Sequence, residues 1–153
     1  MQAPLSQTWD LDVFFPGGSD SPEFRAFLDD LAVRVSGLKQ RLESAALPGT
    51  PAELDGWTPL LTEYQELARH IRQAGAFVSC LSAQSMADQE AKLLQGRVSQ
   101  ISAAFGSATT LMDHQISQLP EDVLSALVAR PDFAEIANPL RERRARAAMR
   151  MDP

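Results

Sequence analysis

The sequence predicts an all-α fold: an irregular antiparallel helical bundle with two long central helices and an extended N-terminal leader. Three observations predict it. Apolar residues recur at steps of three and four along most of the chain, as one face of a helix requires. No segment sustains the apolar–polar alternation of a half-buried strand, so no sheet is predicted. Prolines stand beside serine or threonine at several joints, where a helix start uses a fixed φ and a capping oxygen. At 153 residues the chain reads as a single helical domain, 1–153, long enough to bury a core without disulfide or metal staples.

The leader, residues 1–20, is the exception to helix. It sets Trp9, Phe14 and Phe15 beside Asp10, Asp12 and Asp20, around the turn Pro16-Gly17-Gly18. The aspartates, proline and glycines disfavour helix. The three rings offer anchors worth ~1.5–3 kcal/mol each when buried. The expectation is a leader that crosses the bundle in extended form and pins its ends together. The competing use is a short binding peptide for a partner.

Ser21-Pro22-Glu23 then starts a helix, with serine as N-cap and proline in the first turn. Phe24, Phe27, Leu28, Leu31, Val35, Leu38 and Leu42 trace its apolar face, and Leu47-Pro48-Gly49 ends it. Thr50-Pro51-Ala52-Glu53 has the form of a capping box. Pro59 lacks an amide to donate to the carbonyl four residues back, which predicts a break near Gly56-Trp57 and a second start at Thr58-Pro59. The apolar face from Leu60 to Leu81 carries this helix to about Gln84. Asp88 is a candidate N-cap for a third helix reaching about Ser117, with Gln115 on its apolar side. The short joint between two such long helices makes them antiparallel.

Gly75, Gly96 and Gly106 each weaken a helix interior by ~1 kcal/mol against alanine. With Ala74, Ala76, Ser79 and the small residues 102–108 they suggest close contact between the two long helices. Leu119-Pro120-Glu121-Asp122 starts a short fourth helix, and Arg130-Pro131-Asp132 ends it. A final helix is predicted to carry Phe133, Ile136 and Leu140 and then the arginines.

The net charge is −6, which disfavours a phosphate backbone as partner. Residues 141–150, RERRARAAMR, run against that balance with five arginines and one glutamate. A solvated last helix with cations suited to its C-terminal dipole is the favoured reading, and an arginine-rich RNA contact the alternative. No apolar run is long enough for a membrane span. The start MQAPLSQ has neither the basic nor the apolar region of a secretory signal, so a cytoplasmic location is expected. The one cysteine, Cys80, lies among Phe77, Val78 and Leu81 and reads as a small core residue.

The residues offer little chemistry. The two histidines, His70 and His114, have no histidine one turn on and no glutamate beside them, so neither begins the H-E-x-x-H of a zinc peptidase, and each reads as a lone surface residue. Asp10 and Asp12 lack the spacing of a calcium loop, and Pro16-Gly17-Gly18 lacks the strand and Lys-Ser/Thr of a phosphate loop. Ser79 and Ser99 fall inside helices, a poor setting for a nucleophile. No catalytic, cofactor-binding or metal residue is assigned to any position.

The leader W-D-L-D-x-F-F-P-G-G-S-D-S-P-E-F, residues 9–24, nevertheless resembles the start of bacterial oligoendopeptidase F proteins, zinc metallopeptidases of the thimet-oligopeptidase type. Residues 61–91, LTEYQELARHIRQAGAFVSCLSAQSMADQEA, are similar to two helices of their N-terminal region, and LRERRARAAMRMDP is similar to the segment leading into their main body. The resemblance implies an N-terminal domain that forms part of the wall around a peptide channel. It implies that the zinc ligands and catalytic glutamate lie downstream, in a catalytic domain absent from this chain. Zinc is then expected in the full-length protein and not here. The implied partners are the remainder of the peptidase and short peptides in its channel.

The rival function is a free-standing helical interaction module, and a helical enzyme with a dispersed site is a third reading. If the chain is a fragment, Val123, Leu127, Phe133, Ile136 and Leu140 are expected to leave an apolar patch in water, and the isolated chain to pair as a homodimer.

Overall fold

The computed structural model describes residues 10–149, which form five α-helices joined by turns and short 3-10 segments, with no strand among them. Helix α1 spans Pro22–Ser44, α2 Leu54–Gln84, α3 Gln89–Gln118, α4 Glu121–Val128 and α5 Ala137–Met149. The predicted α-helical bundle with two long central helices is the observed one. At 1.5 Å per residue, α2 and α3 are each roughly 45 Å long.

Side-chain pairs give the register. Phe24 meets Phe77 and Arg34 meets Glu63, so α1 and α2 run antiparallel. Arg25 pairs with Glu90, Arg97 with Asp29, and Gln115 reaches the Leu42 carbonyl, so α1 and α3 run parallel. Tyr64 stacks on Phe105, as an antiparallel α2–α3 pair hinged at residues 85–88 requires. Helix α3 touches α1, α2 and α5 and is the centre of the fold.

Helix α1 follows from its sequence pattern. The Ser21 hydroxyl accepts from the Phe24 amide at 3.2 Å, and Pro22 occupies the first turn. Phe24, Leu28, Leu31, Val35, Leu38 and Leu42 are all buried, and Phe27 is half-buried. The helix stops at Ser44, a few residues before Leu47-Pro48-Gly49. The Asp88 carboxylate accepts from the Ala91 amide at 2.9 Å and caps α3 as predicted.

Several expectations need correction. Helix α2 does not break at Gly56-Trp57. Pro59 sits inside it, and the Asp55 carbonyl that Pro59 cannot serve faces the Thr58 hydroxyl at 3.5 Å. Residues Pro51–Glu53 form a 3-10 turn that leads into this helix, and the Glu53 carboxylate reaches the Gly49 amide at 2.7 Å, while the Thr50 side chain makes no cap. Pro59 is the sixth residue of α2, past the four amides that a helix start leaves unpaired, so the Asp55 carbonyl loses its intrahelical donor.

The small residues do not mark the helix contact. A Cβ placed on Gly75, Gly96 or Gly106 would meet nothing within 4 Å. Ala76, Ser79, Ala103, Ala104 and Ser107 are exposed, whereas Ala74 and Ala108 are buried. Nor do the residues of the last third leave an open patch. Val123, Leu127, Phe133 and Leu140 are buried and Ile136 is half-buried against the same core. Phe133 and Ile136 belong to a 3-10 segment, Pro131–Ile136, ahead of α5.

The described part of the leader does not cross the bundle. Residues 10–20 fold into turns over one end of it, beside the start of α1, the end of α2 and the start of α3. The Asp12 carboxylate accepts from the Gly17 amide at 3.0 Å, and Gly17 and Gly18 take φ of 91° and 58°, a region that suits glycine. Leu11 and Phe15 are the anchors, and Phe15 lies 4.9 Å from the rings of both Phe24 and Phe77. Phe14 points outward with 63% of its surface exposed. Trp9 lies outside the described residues. Arg25 ties the turn down, donating to the Ser19 carbonyl and to Glu90.

Candidate functional site

Among the described residues no group of three or more histidine, cysteine, aspartate and glutamate side chains could hold a metal ion. His114 is exposed on α3. His70 is not a lone surface residue: it is half-buried, its ring edge-on to Phe27 at 5.6 Å and its Nδ1 3.5 Å from the Arg34 guanidinium. The hydroxyls of Ser79 and Ser99 donate back to the carbonyls of Gly75 and Gln95, one turn earlier.

The strongest polar constellation joins α1 to α2. Arg34 donates from Nε and Nη2 to the two carboxylate oxygens of Glu63, at 2.9 and 3.1 Å, and from Nη2 to Glu66 at 3.0 Å. Asp30 stands 3.8 Å away. These hydrogen bonds hold the Glu63 carboxyl below the usual carboxylate range and raise the Arg34 guanidinium further above its own. A forked, bidentate pair of this kind fixes helix register, and every group in it is already partnered.

Two grooves remain. One lies between the leader turn and α2, encloses about 370 Å³, and is lined by Leu11, Phe14, Phe15, Ala76, Phe77 and Cys80. Cys80 is therefore only partly a core residue: half-buried, it forms part of this apolar wall. The other lies between α2 and α5 and encloses about 450 Å³. Its apolar floor comes from Leu61, Met112, Ile116, Ile136 and Leu140, and Arg69, Arg72 and Arg143 stand among its walls.

Arg143 belongs to the fold. It donates to Asp113 at 2.7 Å and lies 5.2 Å from the centre of the Tyr64 ring. Burial works against its charge, but Asp113 and Tyr64 outweigh that and hold its pKa above the ordinary arginine value. Arg144 pairs with Glu121 and Arg146 with Glu142. Arg143 and Arg144 thus pin α5 to α3 and α4, which sequence reasoning missed. Their partners are distant in sequence, and no spacing rule reveals them.

Arg69 and Arg72 differ. Both are exposed, and neither has a carboxylate within 4 Å among the described residues. No helix among the described residues is long and apolar enough to cross a membrane. Comparisons with family models, with curated proteins and with solved structures found no match to this chain.

Proposed function

We propose that this chain is the N-terminal helical domain of a zinc-dependent oligoendopeptidase, a non-catalytic piece of the wall that surrounds the peptide channel. The observation that supports it is the leader. The segment that carries the family resemblance is also the most specifically built part of the described structure. Leu11 and Phe15 fill the end of the core, Asp12 closes the turn, Gly17 and Gly18 supply left-handed backbone, and Ser21 caps α1. Such a cassette has sequence requirements that a generic amphipathic helix lacks.

In this reading zinc, its ligands and the general base belong to a catalytic domain elsewhere in the polypeptide, and the protein works in the cytoplasm, where a single unpaired cysteine is at home. Its partners are the rest of that polypeptide and short flexible peptides. The test is the reading frame that encodes these residues. An H-E-x-x-H downstream, in a polypeptide several times longer, supports the proposal; a stop codon directly after Pro153 overturns it.

A second reading, a free-standing helical interaction module, is favoured by one observation: the open groove between α2 and α5, where Arg69 and Arg72 have no carboxylate within 4 Å among the described residues.

A further inference from the structure

We propose that the groove between α2 and α5 is a docking surface for an acidic amphipathic helix of a partner protein. The inference stands on the groove itself and holds whether or not the chain belongs to a peptidase.

The shape comes first. The wall contributed by α2 runs from Leu61 to Arg72, a span of about 16 Å at helical rise. That length matches about three turns of a second helix laid along it. The floor is apolar: Ile136 is half-buried in it, and Met112 and Ile116 are fully buried. A volume of about 450 Å³ accommodates a row of apolar side chains spaced one turn apart.

The charge decides the partner. This chain carries 20 acidic residues against 14 Lys and Arg, so its cations find carboxylates readily. Arg25, Arg34, Arg97, Arg130, Arg143 and Arg144 each do so across the bundle. Among the described residues Arg41, Lys92, Arg141, Arg69 and Arg72 have no carboxylate within 4 Å, and of these Arg69 and Arg72, three residues apart on α2, line the groove. Among the described residues the polar partner of Arg69 is the His70 ring, at 3.3 Å. The one acid in the groove wall, Glu66, is turned to Arg34 and bonded there. The groove therefore presents an uncompensated pair of guanidinium groups beside an apolar trough. A helix with leucines on one stripe and glutamates flanking it supplies carboxylates to the arginines and apolar groups to the floor. A basic helix would meet repulsion at the same place.

The experiment uses fluorescein-labelled helical peptides of about three turns and fluorescence anisotropy with the whole chain. The probes are a leucine/glutamate amphipathic peptide, its leucine/lysine counterpart, and a serine/glutamate peptide with no apolar stripe. The expected result is saturable binding of the leucine/glutamate peptide alone, weakening as salt rises. Arg69→Glu with Arg72→Glu lowers that affinity about tenfold or more, because attraction becomes repulsion. Both side chains are exposed and have no carboxylate partner among the described residues, so circular dichroism of this variant should match the parent. A second variant, Ala68→Glu, places a carboxylate in the trough at a helix-compatible position and should also abolish binding. Three results would overturn the proposal: no binding of the leucine/glutamate peptide up to about 1 mM, equal binding of the serine/glutamate peptide, or affinity unchanged by both variants.

Discussion

Replacing Phe15 with alanine should unfold the leader end of the bundle far more readily than replacing its neighbour Phe14. The ring of Phe15 is 9% exposed and lies 4.9 Å from Phe24, 5.4 Å from Phe27 and 4.9 Å from Phe77. A buried phenylalanine removes ~150–250 Å² from water, worth about 4–6 kcal/mol at ~25 cal/mol/Å². A compact unfolded chain reduces that by roughly 10–40%, which leaves about 3–4 kcal/mol, within the usual range for Phe→Ala in a core. Phe14 is 63% exposed and its loss should cost under about 1 kcal/mol. Urea denaturation followed by far-UV circular dichroism measures both. The melting temperature of Phe15→Ala should fall by about 10 °C. Equal losses for the two variants, or a Phe15→Ala change within about 0.5 kcal/mol, would refute the assignment of Phe15 as the anchor.

Exchanging Gly75, Gly96 and Gly106 together for alanine should raise stability by ~2 kcal/mol in the same assay, because each has helical backbone and open space at its Cβ. Glu63→Gln should cost about 1 kcal/mol at neutral pH, allowing for the solvent that reaches the pair. Because Arg34 depresses the Glu63 pKa, this stabilisation is complete above the unfolded value near ~4.3 and is lost as pH falls through the folded value. Urea midpoints taken down to about pH 2 should therefore converge for parent and variant. Gln115→Leu should destabilise by ~1–3 kcal/mol, since its amide donates at 2.6 Å to the buried carbonyl of Leu42; a thermal melt indistinguishable from the parent would show that bond to be dispensable.

The helices were legible because their information is local. The apolar stripe of α1, its Ser21-Pro22 start and the Asp88 cap of α3 depend on residues a turn or so apart. The errors arose where a local preference met tertiary structure. Pro59 suggested a break, yet α2 buries Leu54, Trp57, Leu60 and Leu61 on one side and continues through it. Gly75 suggested close packing, but the face it occupies points away from neighbouring helices. Of two adjacent phenylalanines, composition could not say which turns inward; the leader turn decides it by placing Leu11 and Phe15 on the same side. The candidate groove was invisible for a related reason. Its floor combines α2, α3 and α5 with the 3-10 segment before α5, and only the fold shows that Arg69 and Arg72 line it with no carboxylate of the described residues within 4 Å.

The central claim is that this chain is a non-catalytic part of a zinc peptidase. It is tested most directly by assaying the 153-residue chain and the complete polypeptide side by side, with added zinc and an internally quenched oligopeptide. The account predicts cleavage by the complete polypeptide that stops with a chelator, and none by the chain alone. Chelator-sensitive cleavage by the chain alone, in a preparation free of other proteases, would contradict it, as would a complete polypeptide that neither binds zinc nor cleaves the peptide.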